Sequence, residues 1–126
     1  MGDNMAVSAF GLVLDAKIVQ GTDVSLSITA VNNANLPIDL TVMQDIKWRL
    51  VRQYGDSVVL LKTLLTGGII LTATTGIFEI PLNATETDLL VGDYIHEADL
   101  INQAGQIIPV TLCNLNPGIL TVRAAL

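Results

Sequence analysis

The sequence predicts an all-β protein, an antiparallel sandwich of about seven to nine strands, from three observations. Apolar residues recur with a period of two. Turn residues interrupt these runs about every ten positions. No ten-residue window carries a helical apolar stripe.

The alternation is clearest in three places. Val24, Leu26, Ile28 and Ala30 alternate with Ser25, Ser27 and Thr29. Ile46, Trp48 and Leu50 alternate with Lys47, Arg49 and Val51, and Phe78, Ile80 and Leu82 with Ile77, Glu79 and Pro81. Successive side chains on a strand point to opposite faces, so each run offers one face to a core and one to water. Leu26, Ile28, Trp48, Phe78, Ile80, Tyr94 and His96 are the expected core. Strands are expected over residues 12–19, 24–31, 46–52, 58–64, 69–73, 77–82, 94–101, 106–112 and 119–124. Between them lie Gly21-Thr22-Asp23, residues 32–37, Gly55-Asp56, Gly67-Gly68, Thr75-Gly76, Gly92-Asp93, residues 103–106 and residues 114–118, all rich in turn formers. Residues 85–90 offer one helical turn, with Thr85 as cap and Asp88 three residues on. No linker, repeat or low-complexity tract divides the chain, so residues 1–126 are read as one domain. Residues 1–14 form an N-terminal arm or an edge strand.

Composition narrows the function. A chain of 126 residues hides roughly 13,000 Å² on folding, enough for a core without staples. Hydrophobic residues make up 51% and charged ones 14%, which argues against disorder. Six Lys and Arg against twelve Asp and Glu give a net charge of −6, so neither nucleic acid nor an anionic membrane is an expected partner. Mean hydropathy is +0.58, yet no apolar run approaches the roughly 18 residues of a span. Residues 1–10 lack the basic start of an export signal. A soluble protein is expected. The single Cys113 forbids an internal disulfide, and with the single His96 it leaves too few ligands for zinc.

Two placements refine the fold to an immunoglobulin-like sandwich without a disulfide. Trp48 falls on the third long strand, where such sandwiches bury a Trp. Residues 88–94, ending in Gly92-Asp93-Tyr94, read as the corner at which a Tyr hydroxyl caps backbone, here near Asp88 to Leu90. Where disulfide-bearing relatives place their second Cys, two residues after that Tyr, this chain has His96.

Several stretches, in order over residues 18–124, resemble the small immunoglobulin-like domains of tailed-bacteriophage virions, such as the N-terminal domain of baseplate upper proteins. They are Gln20-Gly21-Thr22-Asp23, Pro37-Ile38-Asp39-Leu40-Thr41, Ile46-Lys47-Trp48-Arg49-Leu50, Gly92-Asp93-Tyr94 and Gly118-Ile119-Leu120-Thr121-Val122. The resemblance implies a virion-assembly role without catalysis. Because the chain ends at Leu126, a stand-alone accessory subunit is expected.

Candidate chemistry reads mostly as structure. His96, flanked by alternation with Tyr94, Ala98 and Leu100, is expected to be a packed, hydrogen-bonded core residue. No Gly-x-Ser-x-Gly surrounds any Ser that would pair with it as a base. Glu97 and Asp99 lie on the opposite face of that strand about 6.5–7 Å apart. Such a pair suits a solvated acidic face, a glycosidase pair or one side of a calcium site. The first is preferred, since no Asn/Asp-rich loop adds ligands, and neither metal nor cofactor is expected. Cys113 has no local cation to activate it, and Lys47, Arg49 and Arg52 are too few for a nucleic-acid patch. Val31, Val51, Ile77 and Ile95 fall on outward faces. Several outward aliphatics on one sandwich indicate a subunit contact. Val51, Ile77 and Ile95, with Phe10 and Leu12 of the arm, are the expected interaction residues.

The expected function is therefore a non-enzymatic structural component of a tailed-phage virion, at the capsid, neck, tail or fibre attachment. It would be present as a homo-oligomer or in many copies and dock on other virion proteins. The alternative is a carbohydrate- or cell-surface-binding module. Sugar stacking wants exposed aromatics, and these are 4% of the chain.

Overall fold

The computed structural model describes residues 9–12, 16–32, 36–105, 107–109 and 118–125. Cys113 and the run that follows it to Pro117 lie outside these residues.

Among the described residues, ten strand segments form two sheets: β1 (Ala9–Leu12), β2 (Ala16–Val19), β3 (Val24–Asn32), β4 (Asp45–Val51), β5 (Val58–Thr63), β6 (Ile70–Leu71), β7 (Ile77–Leu82), β8 (Gly92–Ile101), β9 (Ile107–Pro109) and β10 (Gly118–Arg123). The smaller sheet runs β1-β3-β7-β6 and the larger β2-β10-β8-β4-β5. β9 pairs with β8 at Asp99 to Ile101 and β10 with β8 at Gly92 to His96. Opposite β4, the two segments share one edge of β8 as a single interrupted strand. Strand positions thus number four in one sheet and five in the other. This is the order of an immunoglobulin-like sandwich with one strand added beside the third.

The first expected strand, residues 12–19, is two strands. β1 pairs antiparallel with β3 in one sheet, and β2 runs parallel to β10 in the other. Alternation predicts extended chain but not its neighbour, and here the chain changes sheets.

Alternation does set the core. Along β7 every second residue is buried, and β4 places Ile46, Trp48 and Leu50 inward with no exposed surface. Opposite them lie Leu26, Ile28 and Ala30 of β3 and Phe78 and Ile80 of β7, all buried. From β8 come Tyr94, His96, Ala98 and Leu100. Ala98 stands directly across from Trp48, a small residue beside the largest one.

Three local expectations are corrected. The short helix α1 (Ala84–Asp88) is capped by Asn83, not Thr85. The Asn83 side chain accepts the Glu86 amide at 2.8 Å, and the Glu86 carboxylate accepts the Asn83 amide at 3.0 Å. Glutamate is long enough to close this reciprocal box three residues on, which moves the start upstream. Val31, expected outside, is buried at 8% exposure. The chain after β3 folds back, Pro37 bridges to Val31, and Ile38 donates to the Ala30 carbonyl at 3.1 Å. Gly76 permits this tuck. Its φ is +84°, and a Cβ there would lie 2.9 Å from the Pro37 Cβ. The expected strand over residues 69–73 shrinks to β6, because Thr72 turns the chain with side-chain hydrogen bonds to the Thr74 and Ile77 carbonyls.

Candidate functional site

The larger sheet turns the odd-numbered residues of β4, β8 and β10 away from the core. Its register brings four aliphatic residues into one line. Ile119 of β10 lies opposite Ile95 of β8, Ile95 opposite Val51 of β4, and Val51 opposite Val58 of β5. Directly opposite residues share a face with Cβ atoms about 4.5–5.5 Å apart. The row crosses β10, β8 and β4, and β5 joins it at Val58 beyond a β-bulge between Leu50 and Val51. Ile119 and Val58 at its ends are 42% and 47% exposed, while Ile95 and Val51 between them are half-buried.

Charges bound the stripe on both sides. Arg49 sits across from Glu97 and holds Glu97 at 3.1 Å and Asp99 at 2.8 Å. Its guanidinium bonds both carboxylates of the pair that the sequence reads first as a solvated acidic face, with a glycosidase or calcium pair as alternatives, and offsets one of their two negative charges. Partial burial opposes the Arg49 charge, but the hydrogen bonds and charges of Glu97 and Asp99 outweigh it and raise its pKa. On the other flank the Thr121 hydroxyl donates to the Asp93 carboxylate at 2.9 Å.

Behind one end of the stripe lies the tyrosine corner. The Tyr94 hydroxyl accepts the Val91 amide at 3.1 Å, one residue beyond the expected stretch. Arg52 lies over the Tyr94 ring, 4.3 Å from its centre, and donates to the Val91 and Asp93 carbonyls at 2.9 and 3.2 Å. Gly92 is required twice here. Its φ is +91°, and an added Cβ would come within 2.9 Å of the Arg52 Nη1. Arg49 and Arg52, which the sequence reads with Lys47 as too few for a nucleic-acid patch, thus serve separate internal contacts.

Inside the sheet, the Trp48 indole N–H donates to His96 Nδ1 at 3.1 Å, with the rings edge to face at 6.0 Å. Indole is only a donor, so Nδ1 must be the bare nitrogen of a neutral imidazole. His96, at 2% exposure, thus ties β8 to β4 at the position where disulfide-bearing relatives carry a Cys.

The structure brings Val51 and Ile95 together and separates Ile77 from them. Ile77 is half-buried on the outer face of the smaller sheet, opposite Thr29. Phe10 and Leu12 belong by register to that sheet too, opposite Val31 and Thr29; their side chains lie outside the described ones. Ile119 and Val58, which complete the stripe, were not singled out from sequence. Alternation marks Ile119 as outward, whereas Val58 lies in an unbroken apolar run; only the strand pairing joins them to Val51 and Ile95.

No protein-family model and no curated protein sequence matches the chain. Among solved structures it is similar to the endo-beta-1,4-mannanase from Thermotoga petrophila, with a TM-score of 0.55 and 12% identity, over 94% of this chain and 20% of that one. The chain thus spans one fifth of the mannanase. A second likeness is to a chain from a structure of T cell specificity and activation by the bacterial superantigen toxic shock syndrome toxin-1. Its TM-score is 0.52 at 10% identity, over 90% of this chain and 97% of that one. A third is to the Lin-41 filamin domain, at 0.49 and 14%, covering 91% of each. These likenesses concern the fold alone.

Proposed function

We propose that this chain is a non-enzymatic docking subunit that acts through the outer face of its larger sheet, as a structural component of a tailed-phage virion. The stripe Ile119, Ile95, Val51 and Val58 carries the reading. It is an aliphatic line over β10, β8, β4 and β5, bordered on one side by the ion-paired Arg49, Glu97 and Asp99 and on the other by Asp93, which accepts from Thr121. An apolar centre inside a polar rim is the anatomy of a protein interface. Other virion proteins are the proposed partners and the virion the proposed location, on the strength of the ordered resemblance in residues 18–124.

Sugar binding has less support. Of the described Phe, Trp and Tyr side chains, Trp48, Phe78 and Tyr94 are buried and only Tyr54 is exposed, so no aromatic platform forms. Mass spectrometry of gradient-purified particles from the encoding genome tests the proposal. The chain should appear at a fixed ratio to the coat or tail proteins; abundant expression with none in particles refutes it.

A further inference from the structure

The chain sets six Lys and Arg against twelve acids, and most of these cations are answered within the molecule. Arg49 holds Glu97 and Asp99, and Lys47 stands directly across from Asp99. Lys62 is held by Glu86, and Arg52 by the Tyr94 ring and two carbonyls. Lys17 and Arg123 differ. Both are exposed, and neither makes an ion pair among the described residues.

Register places these two cations together. β2 runs parallel to β10, with Lys17 beside Thr121 and Val19 beside Arg123. Ile18, Leu120 and Val122 between them are buried, so alternation puts Lys17 and Arg123 on the outer face of the larger sheet, with Ile119 of the stripe. A strand spacing of about 4.8 Å and two residues of rise set their Cα atoms about 8 Å apart. Two long side chains at that separation can close on one carboxylate. A groove of about 420 Å³ lies there, lined by both cations and by Ile18, Val19 and Thr121. Asp93, on the far side of β10, is bonded to the Thr121 hydroxyl and sets one negative charge against the two positive ones. A lysine on a short edge strand is an ordinary guard against strand addition. Arg123 has no such task, because β10 lies between β2 and β8.

We infer that Lys17 and Arg123 form a carboxylate clamp on the docking face, and that the partner seated on the aliphatic stripe presents an aspartate or glutamate side chain to it. The inference rests on the docking reading and adds the partner's chemistry. Its acid stands about 7–13 Å from its contact with Ile119, the span of two to four residues along β10. A second copy docked symmetrically by this face would have to offer carboxylates of the same face. Those are bonded to Arg49 or to Thr121. The occupant is therefore an acidic segment of a different protein.

A carbodiimide, which joins a lysine amine to a touching carboxylate as an amide and takes up the water lost, tests this on purified particles. Mass spectrometry should find Lys17 linked to an Asp or Glu of another particle protein. Lys17→Glu and Arg123→Glu should each unfold like the parent and enter particles at least about tenfold less, since like charges then meet across the contact. Lysine in place of the linked acid on the partner should restore Lys17→Glu. Lys17 linked to no carboxylate outside this sequence, or either glutamate variant present at the parental ratio, overturns the clamp. If Ile95→Asp is still excluded from those particles, the docking face stands without the clamp. A parent chain absent from particles removes both.

Discussion

Replacing Trp48 by alanine should cost about 4–5 kcal/mol, the top of the range for deleting a large aromatic side chain from a core. Three features place it there. The indole has no exposed surface, and neither do Ile46 and Leu50 on either side of it along β4. Its strand is pinned between β5 and β8 by antiparallel ladders, so the backbone cannot collapse into the cavity. The substitution also strips the donor from His96 Nδ1, and a buried polar group that loses its partner costs about 1–3 kcal/mol by itself. Against a typical domain stability of about 5–15 kcal/mol, the loss removes roughly a quarter or more and lowers Tm by roughly 12–20 °C. Urea unfolding should be followed by far-ultraviolet circular dichroism, because Trp48 is the sole tryptophan and its fluorescence goes with it. A cost below about 1 kcal/mol would mean that the indole does not fill the space between the sheets, and the assignment of the core would fail.

Two further outcomes follow from local geometry. Tyr94→Phe removes the acceptor of the Val91 amide and should cost about 1–3 kcal/mol in the same assay; a neutral result would show that the corner is held by Arg52 alone. Burial works against ionisation of Glu86, but the hydrogen bonds from Lys62 and the Asn83 amide and the Lys62 charge outweigh it and hold its pKa below the ordinary value. A lowered folded-state pKa adds stability that is fully present above the unfolded value and is lost as pH falls through the folded one. The advantage of the parent over Glu86→Gln should therefore shrink on acidification below the ordinary carboxylate range. An advantage that stays constant down to strongly acidic pH would contradict the pairing with Lys62.

The fold was legible where one residue's side decides the outcome. Alternation put Trp48, Phe78 and Ile80 inside, and the Gly92-Asp93-Tyr94 run marked the corner. What sequence could not carry was which strand lies beside which. Residues 12–19 read as one extended run, yet β1 and β2 lie in different sheets. Val51, Ile77 and Ile95 look equivalent along their own strands. Pairing of β4 with β8, 44 or more positions apart, puts two of them on one row and sends Ile77 to the opposite side of the sandwich. Ile119 and Val58 join the stripe only through the same long-range register. Val31 reads as outward until Pro37 folds over it, and that approach depends on Gly76, some forty residues away in the chain.

The central claim, that the outer face of the larger sheet is the docking surface, is tested most directly by particle incorporation of Ile95→Asp. Ile95 sits mid-stripe and half-buried on an outer face, so the folded chain can keep the carboxylate hydrated. A partner packed against that face cannot, and a central contact of this kind is worth about 2 kcal/mol or more, roughly thirtyfold in occupancy. The account predicts an Ile95→Asp chain that unfolds like the parent and is nearly absent from purified particles. A variant that folds normally and enters particles at the parental ratio would contradict it.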